Sequence, residues 1–251
     1  MALTGIAPLV LRPGTWQVRR PKAALAAWFT VFLLGAGFAV AAVANAVRVV
    51  FSPGAVLGDG FAAHLFAWVV LGTAATGAVF VGLSAQALAA GHQDAVAASA
   101  PDVVHREQRR GLALIEFRAV TPIAYAASGR DRRILYSSGL REMLTAAQLQ
   151  AVLAHEYTHL RYRHDLVVRV AELNALLLPG SWAAGAAMRR ATSLLVELIA
   201  DDTAAKQAGA ANLAAALLRI GEPGMELRAG RLNLRRWPQF SPHRVPSAVR
   251  I

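Results

Sequence analysis

The chain contains no cysteine among its 251 residues. A disulfide framework, a thiolate metal site and a cysteine nucleophile are therefore all excluded, and the composition agrees with a compartment in which disulfides do not form. Acidic residues are scarce as well: 15 Asp and Glu stand against 26 Lys and Arg, which gives a formal net charge of +11. Such an excess favours anionic partners, either nucleic acid or lipid headgroups.

Charged residues are missing from two long runs, residues 23–47 and 61–90. Each run exceeds the roughly 20 residues that a helix needs to cross the hydrocarbon core of a bilayer. The whole chain is 56% hydrophobic with a mean hydropathy of +0.42, which is more than a soluble domain normally carries. We therefore predict two transmembrane helices within residues 23–90. Two buried helices of a soluble protein are the alternative.

Basic residues flank both predicted spans, whereas the short connection between the spans holds only Arg48 and Asp59. The positive-inside rule then predicts that both flanks and the remainder of the chain lie on the cytoplasmic side of the plasma membrane. No nucleic-acid-binding motif accompanies the arginines, so anionic lipids explain the charge more simply than nucleic acid does. The flanking residues are Arg12, Arg19, Arg20 and Lys22 before the first span, and Arg106, Arg109 and Arg110 after the second.

Residues 155–159 read His-Glu-Tyr-Thr-His. Because residues four apart share one face of a helix, His155 and His159 can reach the same metal ion while Glu156 holds a water against it. Two imidazoles beside a carboxylate are typical of a hydrolytic zinc site with its general base. The pattern therefore predicts metal-assisted hydrolysis.

Helix signals surround this motif. Thr145 and Gln148 form a predicted capping box, and apolar residues then recur at helical spacing. The motif should consequently lie inside an amphipathic helix, as its mechanism requires. An ordinary helix that carries two surface histidines remains the alternative. The apolar positions are Leu149, Val152, Leu153 and Leu160.

A catalytic zinc ion takes three protein ligands and leaves its fourth position to water, so the chain must supply one more ligand. Glu172 is the nearest glutamate downstream, but a continuous helix would place it about 20 Å beyond His159. Asp165 would lie about 9 Å away on the same helix, which suits a hydrogen bond to a ligand better than ligation.

Glu197 is a better candidate, because residues 191–206 form a second helical pattern on which Glu197 and Asp201 lie one turn apart. A chain reversal at residues 179–180 can bring this helix back against the first. Glu197 would then bind zinc through a carboxylate oxygen. Asp201 would accept the second ring N–H of a liganding histidine and so fix its tautomer. Alternatively, both are polar residues on an exposed face.

Residues 151–165 together with residues 197–202 resemble the membrane metallopeptidases of the HtpX and prenyl-protease family, and still more the related peptidases of the BlaR/MecR type. The resemblance covers residues 118–221. It implies that His155, His159 and Glu197 hold one Zn²⁺ per chain and that Glu156 is the catalytic base.

In the resembled families an edge strand just before the motif helix lines the active cleft. Residues 120–126 and 133–137 read as two short strands around a polar turn, so the predicted edge is Ile134, Leu135 and Tyr136. An extended peptide could pair with its free backbone groups. A plain hairpin packed on the helix is the alternative.

Residues 241–251 resemble the H-P-x-x-x-x-R-I segment near the C-terminus of HtpX-like enzymes, although Arg244 stands where that segment has proline. His243 is therefore a candidate for stabilising the oxyanion that forms during hydrolysis. A surface histidine on a tail is the alternative.

The predicted fold is mainly α, with two transmembrane helices and a helical zincin-like catalytic domain that carries a small β-hairpin. The predicted function is a membrane-anchored zinc endopeptidase whose substrate is a cytoplasmic transcriptional repressor, as for BlaR/MecR, or a misfolded membrane protein, as for HtpX. A catalytically inactive membrane scaffold or signalling protein with a vestigial or structural zinc site is the alternative. The predicted segments are a basic N-terminal segment (1–22), the two-helix transmembrane region (23–90), the cytoplasmic metallopeptidase domain (91–227) and a basic, proline-containing tail expected to be extended or partly disordered (228–251).

Overall fold

A computed structural model divides the chain into two compact units, residues 1–98 with 169–192 and residues 99–168 with 193–251. The candidate site lies within the second unit. The structure describes residues 15–52, 61–98, 102–109, 111–128, 131–178, 183–237 and 246–249.

The first unit contains helices α1 (Thr15–Arg19), α2 (Pro21–Val50) and α3 (Phe61–Ala98). Among the described residues, α2 and the Phe61–Ser84 part of α3 are long and apolar enough to cross a membrane. Only 11% and 6% of their most apolar stretches are buried inside the protein. Such exposure suits helices in contact with lipid and argues against the alternative of two buried core helices.

The first unit also receives parts of two later helices, α6 (His164–Leu177) and α7 (Ala183–Ala204). A Cβ added to Gly185 of α7 would lie 2.8 Å from the Cα of Ala175 in α6, so a side chain at position 185 would not fit between these two helices. The reversal predicted at residues 179–180 falls outside the described residues.

The second unit holds one four-stranded sheet among its described residues, in the order β1-β2-β4-β3. Strand β1 pairs antiparallel with β2, β2 pairs parallel with β4, and β4 pairs antiparallel with β3. The sequence predicted only the β3–β4 pair. Strand β2 is almost entirely buried and is apolar apart from Glu116, a pattern whose periodicity does not distinguish a strand from a buried helix. The strands are β1 (Val103–Arg109), β2 (Leu112–Phe117), β3 (Ala124–Ala127) and β4 (Arg132–Ser137).

The prediction that Ile134, Leu135 and Tyr136 form the edge strand is wrong. They belong to β4, which lies inside the sheet between β2 and β3, and they are buried. The physical reason is the parallel pairing of β4 with β2, a long-range contact that the short hairpin pattern does not reveal. The edge strand beside β4 is β3, on which Ala124 pairs with Tyr136.

The remaining helices are α4 (Ser138–Met143), α5 (Ala146–Tyr162), α8 (Ala210–Ile220) and α9 (Met225–Leu234), with a π-helical turn (Ala205–Gly209) before α8. The capping box of α5 is confirmed, because Thr145 accepts from the Gln148 backbone while the Gln148 side chain accepts from the Thr145 backbone. Helix α5 ends at Arg163, whose φ of 50° is left-handed. Helices α5, α8 and α9 contribute to one hydrophobic core with β2 and β4.

The expectation of an extended or partly disordered chain from Arg228 onward is wrong for residues 228–234, which belong to α9. Met225, Ala229 and Leu232 recur at helical spacing, and the last two are buried in the core. The many arginines of residues 228–236 made this short apolar pattern difficult to recognise in the sequence. Gly224 precedes α9 with a φ of 86°, a backbone conformation that favours glycine.

Candidate active site and metal centre

Helix α5 places the two histidines of the motif one turn apart on the same face. Nε2 of His155 lies 3.1 Å from Nε2 of His159, so the two ring nitrogens converge on one point. His155 is buried and His159 is partly buried. Two nitrogens at this separation can act together on one cation or share one proton.

Helix α7 adds a carboxylate to this pair. Oε2 of Glu197 lies 3.3 Å from Nε2 of His155, and Oε1 of Glu197 lies 3.5 Å from Nε2 of His159. The ligand atoms of all three residues lie within 4.8 Å of one another. Two imidazole nitrogens and one carboxylate oxygen are the donor set of a catalytic zinc site, so the residues present fit a zinc ion.

Asp201 lies behind His155, one turn after Glu197 on α7. Its side chain has no exposed surface, and its Oδ1 is 3.0 Å from Nδ1 of His155. A carboxylate in this place favours the tautomer with a proton on Nδ1, which leaves Nε2 free as a ligand atom.

His164 occupies the corresponding position behind His159. The two Nδ1 atoms are 3.2 Å apart, and His164 is buried. The sequence predicted Asp165 as the residue behind a liganding histidine, but the residue that contacts His159 is its neighbour. The helix break at Arg163 explains the difference, because the predicted geometry assumed a continuous helix.

Glu156 is a partly buried residue of α5 that contacts the edge strand β3. Its carboxyl group accepts a hydrogen bond from the backbone N–H of Ala126. Burial is the main cause that raises the pKa of Glu156 to about 7; the neighbouring charge of Glu197 acts in the same direction, while His155 opposes it. A carboxyl group with this pKa can both take up and release a proton near neutral pH, as a general base must.

The ionisation of these groups shows that the site favours positive charge. Burial alone would lower the pKa of His155, but hydrogen bonds to Asp201 and Glu197 raise it to about 10. Burial and the neighbouring His155 lower the pKa of His159 to about 3. Burial opposes ionisation of Glu197, yet its contacts with His155 lower its pKa to about 2. The carboxylates of Glu197 and Asp201 thus stabilise the positive charge of a protonated His155 between them.

The sequence did not predict any role for Arg228, which α9 brings into the site. Its Nε and Nη2 donate to the two oxygens of Asp201 at 2.8 and 2.6 Å. Its Nη1 lies 3.1 Å from Oε2 of Glu197, and its Nη2 lies 3.5 Å from Nε2 of His155. The helical spacing of Met225, Ala229 and Leu232 was the one sequence signal that could have placed Arg228 on a docked helix.

A cavity of about 220 Å³ opens onto Glu156, His155 and Glu197. One wall is the loop that leads into β3, which the buried Ser137 holds in place: Ser137 Oγ accepts from the Ile123 backbone N–H and donates to the Thr121 carbonyl. The opposite wall is largely apolar. The other lining residues are Pro122, Ile123, Ala124, Val152, Leu213, Leu217, Ile220, Glu222, Met225 and Arg228.

His243 lies outside the described residues, so the structure does not place it. Asp165 and His164 lie on α6, and Ile134, Leu135 and Tyr136 do not line the cavity.

The family model described as peptidase family M48 matches residues 84–232, which is more than half of the chain. The chain belongs to peptidase family M48. Members of this family are zinc-dependent metallopeptidases, and the matched region contains the histidine pair, Glu156, Glu197 and Arg228. The predicted resemblance to membrane-bound metallopeptidases is thus confirmed at the level of the family. No curated protein and no solved structure matches the chain significantly.

Proposed function

We propose that this M48 protein is a membrane-anchored zinc endopeptidase that hydrolyses protein or peptide substrates on the cytoplasmic side of the plasma membrane. The observation that carries the proposal is the position of Glu156. Glu156 lines the same cavity as His155 and Glu197, whose ligand atoms converge with that of His159. A base beside an open coordination position is what peptide hydrolysis at a metal requires.

When bound by these three residues, a zinc ion would polarise the scissile carbonyl group and acidify a water molecule. Glu156 would take a proton from that water and pass it to the leaving amine, a transfer for which a pKa of about 7 is suitable. Asp201 would hold His155 with Nδ1 protonated, so that Nε2 stays directed at the metal.

Strand β3 is suited to bind the substrate backbone. It is the edge of the sheet next to Glu156, and no other described strand pairs with its outer side. The Ala126 N–H already donates to Glu156, so the free side of β3 faces the catalytic group. An extended peptide could add to this edge, with affinity from main-chain hydrogen bonds.

The apolar wall supports a preference for a large apolar side chain next to the scissile bond. Leu213, Leu217 and Ile220 of α8 and Met225 of α9 line this side of the cavity. Two substrates proposed from the resemblance, a cytoplasmic repressor and misfolded membrane proteins, would both offer such residues in unfolded segments.

A vestigial or structural zinc site in a membrane scaffold is less consistent with the structure. Such a site needs no general base, and withdrawing a carboxyl group from water costs free energy that a structural site has no need to meet. The desolvated Glu156 therefore favours the enzyme.

The decisive experiment compares the wild-type chain with Glu156→Gln, purified in detergent and supplied with casein. The wild type should cleave casein, lose activity with a chelator and regain it with zinc. Glu156→Gln should keep one zinc per chain but lose turnover by a factor of about 10²–10⁴. Glu142→Gln, on the exposed surface of α4, is the matched control and should behave as the wild type. Normal turnover by Glu156→Gln would remove the proposed mechanism.

The proposed orientation can be tested directly because the chain has no native cysteine. Ser52→Cys lies just after α2, and Ala147→Cys lies on the exposed start of α5. A membrane-impermeant thiol reagent should label Ser52→Cys in intact cells and Ala147→Cys only after permeabilisation. The reverse pattern would place the catalytic unit outside.

A further inference from the structure

Arg228 joins two carboxylates that act on different parts of the candidate metal centre. One edge of its guanidinium group binds both oxygens of Asp201, while Nη1 contacts Oε2 of Glu197. Asp201 in turn contacts Nδ1 of His155, and Glu197 contacts Nε2 of both histidines. A single side chain therefore touches every acidic group that fixes or completes the ligand set.

The geometry of a guanidinium group gives this contact an orienting effect. Its donors form a rigid planar fork, and a fork that binds both oxygens of a carboxylate fixes the plane of that carboxylate. Asp201 has no exposed surface, so water cannot replace Arg228 as its partner. The orientation of Asp201 then sets the direction in which the ring of His155 points its other nitrogen.

Glu197 is constrained by the same contact. Arg228 contacts Oε2 of Glu197, whereas Oε1 of Glu197 faces His159. Because the Glu197 side chain is 37% exposed, it could otherwise turn toward solvent. Contact with Arg228 keeps this carboxylate beside the two histidines.

We propose that Arg228 is a positioning residue of the metal centre, which orients Asp201 and Glu197 so that His155, His159 and Glu197 can accept a zinc ion together. This inference rests on the proposed zinc site and extends it to α9, a helix that contributes none of the grouped ligand atoms.

The ion pairs that attach α9 to Asp202 provide a matched control. Arg231 of α9 and Arg235, which directly follows that helix, form ion pairs with Asp202, at 2.7 and 2.8 Å. Asp202 is the neighbour of Asp201, but it contributes no ligand atom to the histidine–glutamate group. Removing Arg231 should therefore weaken the docking of α9 without removing a contact to the ligand set.

The experiment uses the full chain in detergent with the variants Arg228→Met, Arg228→Lys and Arg231→Met. Zinc affinity is measured by competition with a chromophoric chelator, and Co²⁺ loaded in place of zinc reports the coordination geometry through its visible absorption spectrum. Thermal unfolding of the metal-free chains measures stability.

Arg228→Met should bind zinc about 10–100-fold more weakly, as is typical when the partner of a metal ligand is lost, and should shift the Co²⁺ spectrum. Arg228→Lys should show most of the same loss, because an ammonium group keeps the charge but lacks the fork. It also serves as the test if Arg228→Met does not fold. Arg231→Met should unfold at a lower temperature, yet keep the wild-type zinc affinity and spectrum.

Wild-type affinity and an unchanged spectrum in the folded Arg228 variants would overturn the positioning role. So would full recovery in Arg228→Lys, or an equal loss of affinity in Arg231→Met. A wild-type chain that binds neither metal would overturn the proposed function itself, and the positioning role with it.

Discussion

Nδ1 of His155 lies 3.0 Å from Oδ1 of Asp201, a carboxylate with no exposed surface. The interaction links the motif helix α5 to α7, which follows α6 in the chain. Asp201→Asn should lower zinc affinity roughly 10–100-fold, because the amide is a weaker acceptor for His155 and removes one of the two carboxylates that pair with Arg228. Competition with a chelator measures this change.

Asp202→Asn is the control for that variant. It removes the ion pairs with Arg231 and Arg235 but does not touch His155. Both variants should unfold at lower temperature, since each breaks a buried ion pair. An Asp202→Asn affinity as weak as that of Asp201→Asn would mean that general loosening, and not the contact with His155, lowers zinc affinity.

Zinc should stabilise the folded chain against heat, because it binds the assembled site and not the unfolded chain. Free zinc at a hundred times the Kd should add about 2.7 kcal/mol to the free energy of unfolding. Glu197→Gln should lose most of this gain, since a neutral amide is a poor zinc ligand. Glu222→Gln, which lines the same cavity outside the ligand group, should keep it. Thermal unfolding with zinc and with a chelator distinguishes these outcomes.

Zinc affinity should rise with pH. The pKa of His155 is raised to about 10 in the metal-free protein, so this residue carries a proton at neutral pH that zinc must displace. Because the folded pKa exceeds the usual 6.5, the protonated contacts of His155 stabilise the metal-free fold fully below about pH 6.5. This contribution is lost as the pH rises toward 10. Over the same range, protons compete less with zinc for His155.

Chelator competition between about pH 6 and pH 8 should therefore show up to tenfold tighter zinc binding per unit. The carboxylates of Glu197 and Asp201 do not contribute in this range, since the pKa of each is lowered. Zinc affinity that is independent of pH would contradict a protonated His155.

Gly139→Ala should destabilise the second unit. An added Cβ would lie 2.0 Å from the Val120 carbonyl oxygen, in the loop that leads to the cavity wall. Overpacking of this kind costs about 1–3 kcal/mol. Gly230→Ala is the matched control, because a Cβ there meets no atom within 4 Å and alanine favours a helix by about 0.5–1 kcal/mol. Chemical denaturation that showed equal stability for the two variants would contradict the close contact at Gly139.

Local periodicity by itself determined several features of this protein. Two uncharged runs of membrane-spanning length correspond to the candidate transmembrane helices, and the capping box with its apolar spacing corresponds to α5. Residues 155–159 lie on that helix, so the convergence of His155 and His159 follows from the helical repeat alone. The pairing of β3 with β4 was also within reach, because only a short turn separates the two strands.

Long-range contacts decided the rest. Strand β2 pairs parallel with β4, so the cleft edge is β3 instead of residues 134–136. The break after Tyr162 brings His164, and not Asp165, against His159. Arg228 enters the site because α9 packs Ala229 and Leu232 into the core and forms ion pairs with Asp201 and Asp202 on α7. A sequence pattern reports which residues share a face of one element, but the pairing of distant elements depends on how their surfaces pack, and that is fixed only when the whole chain folds.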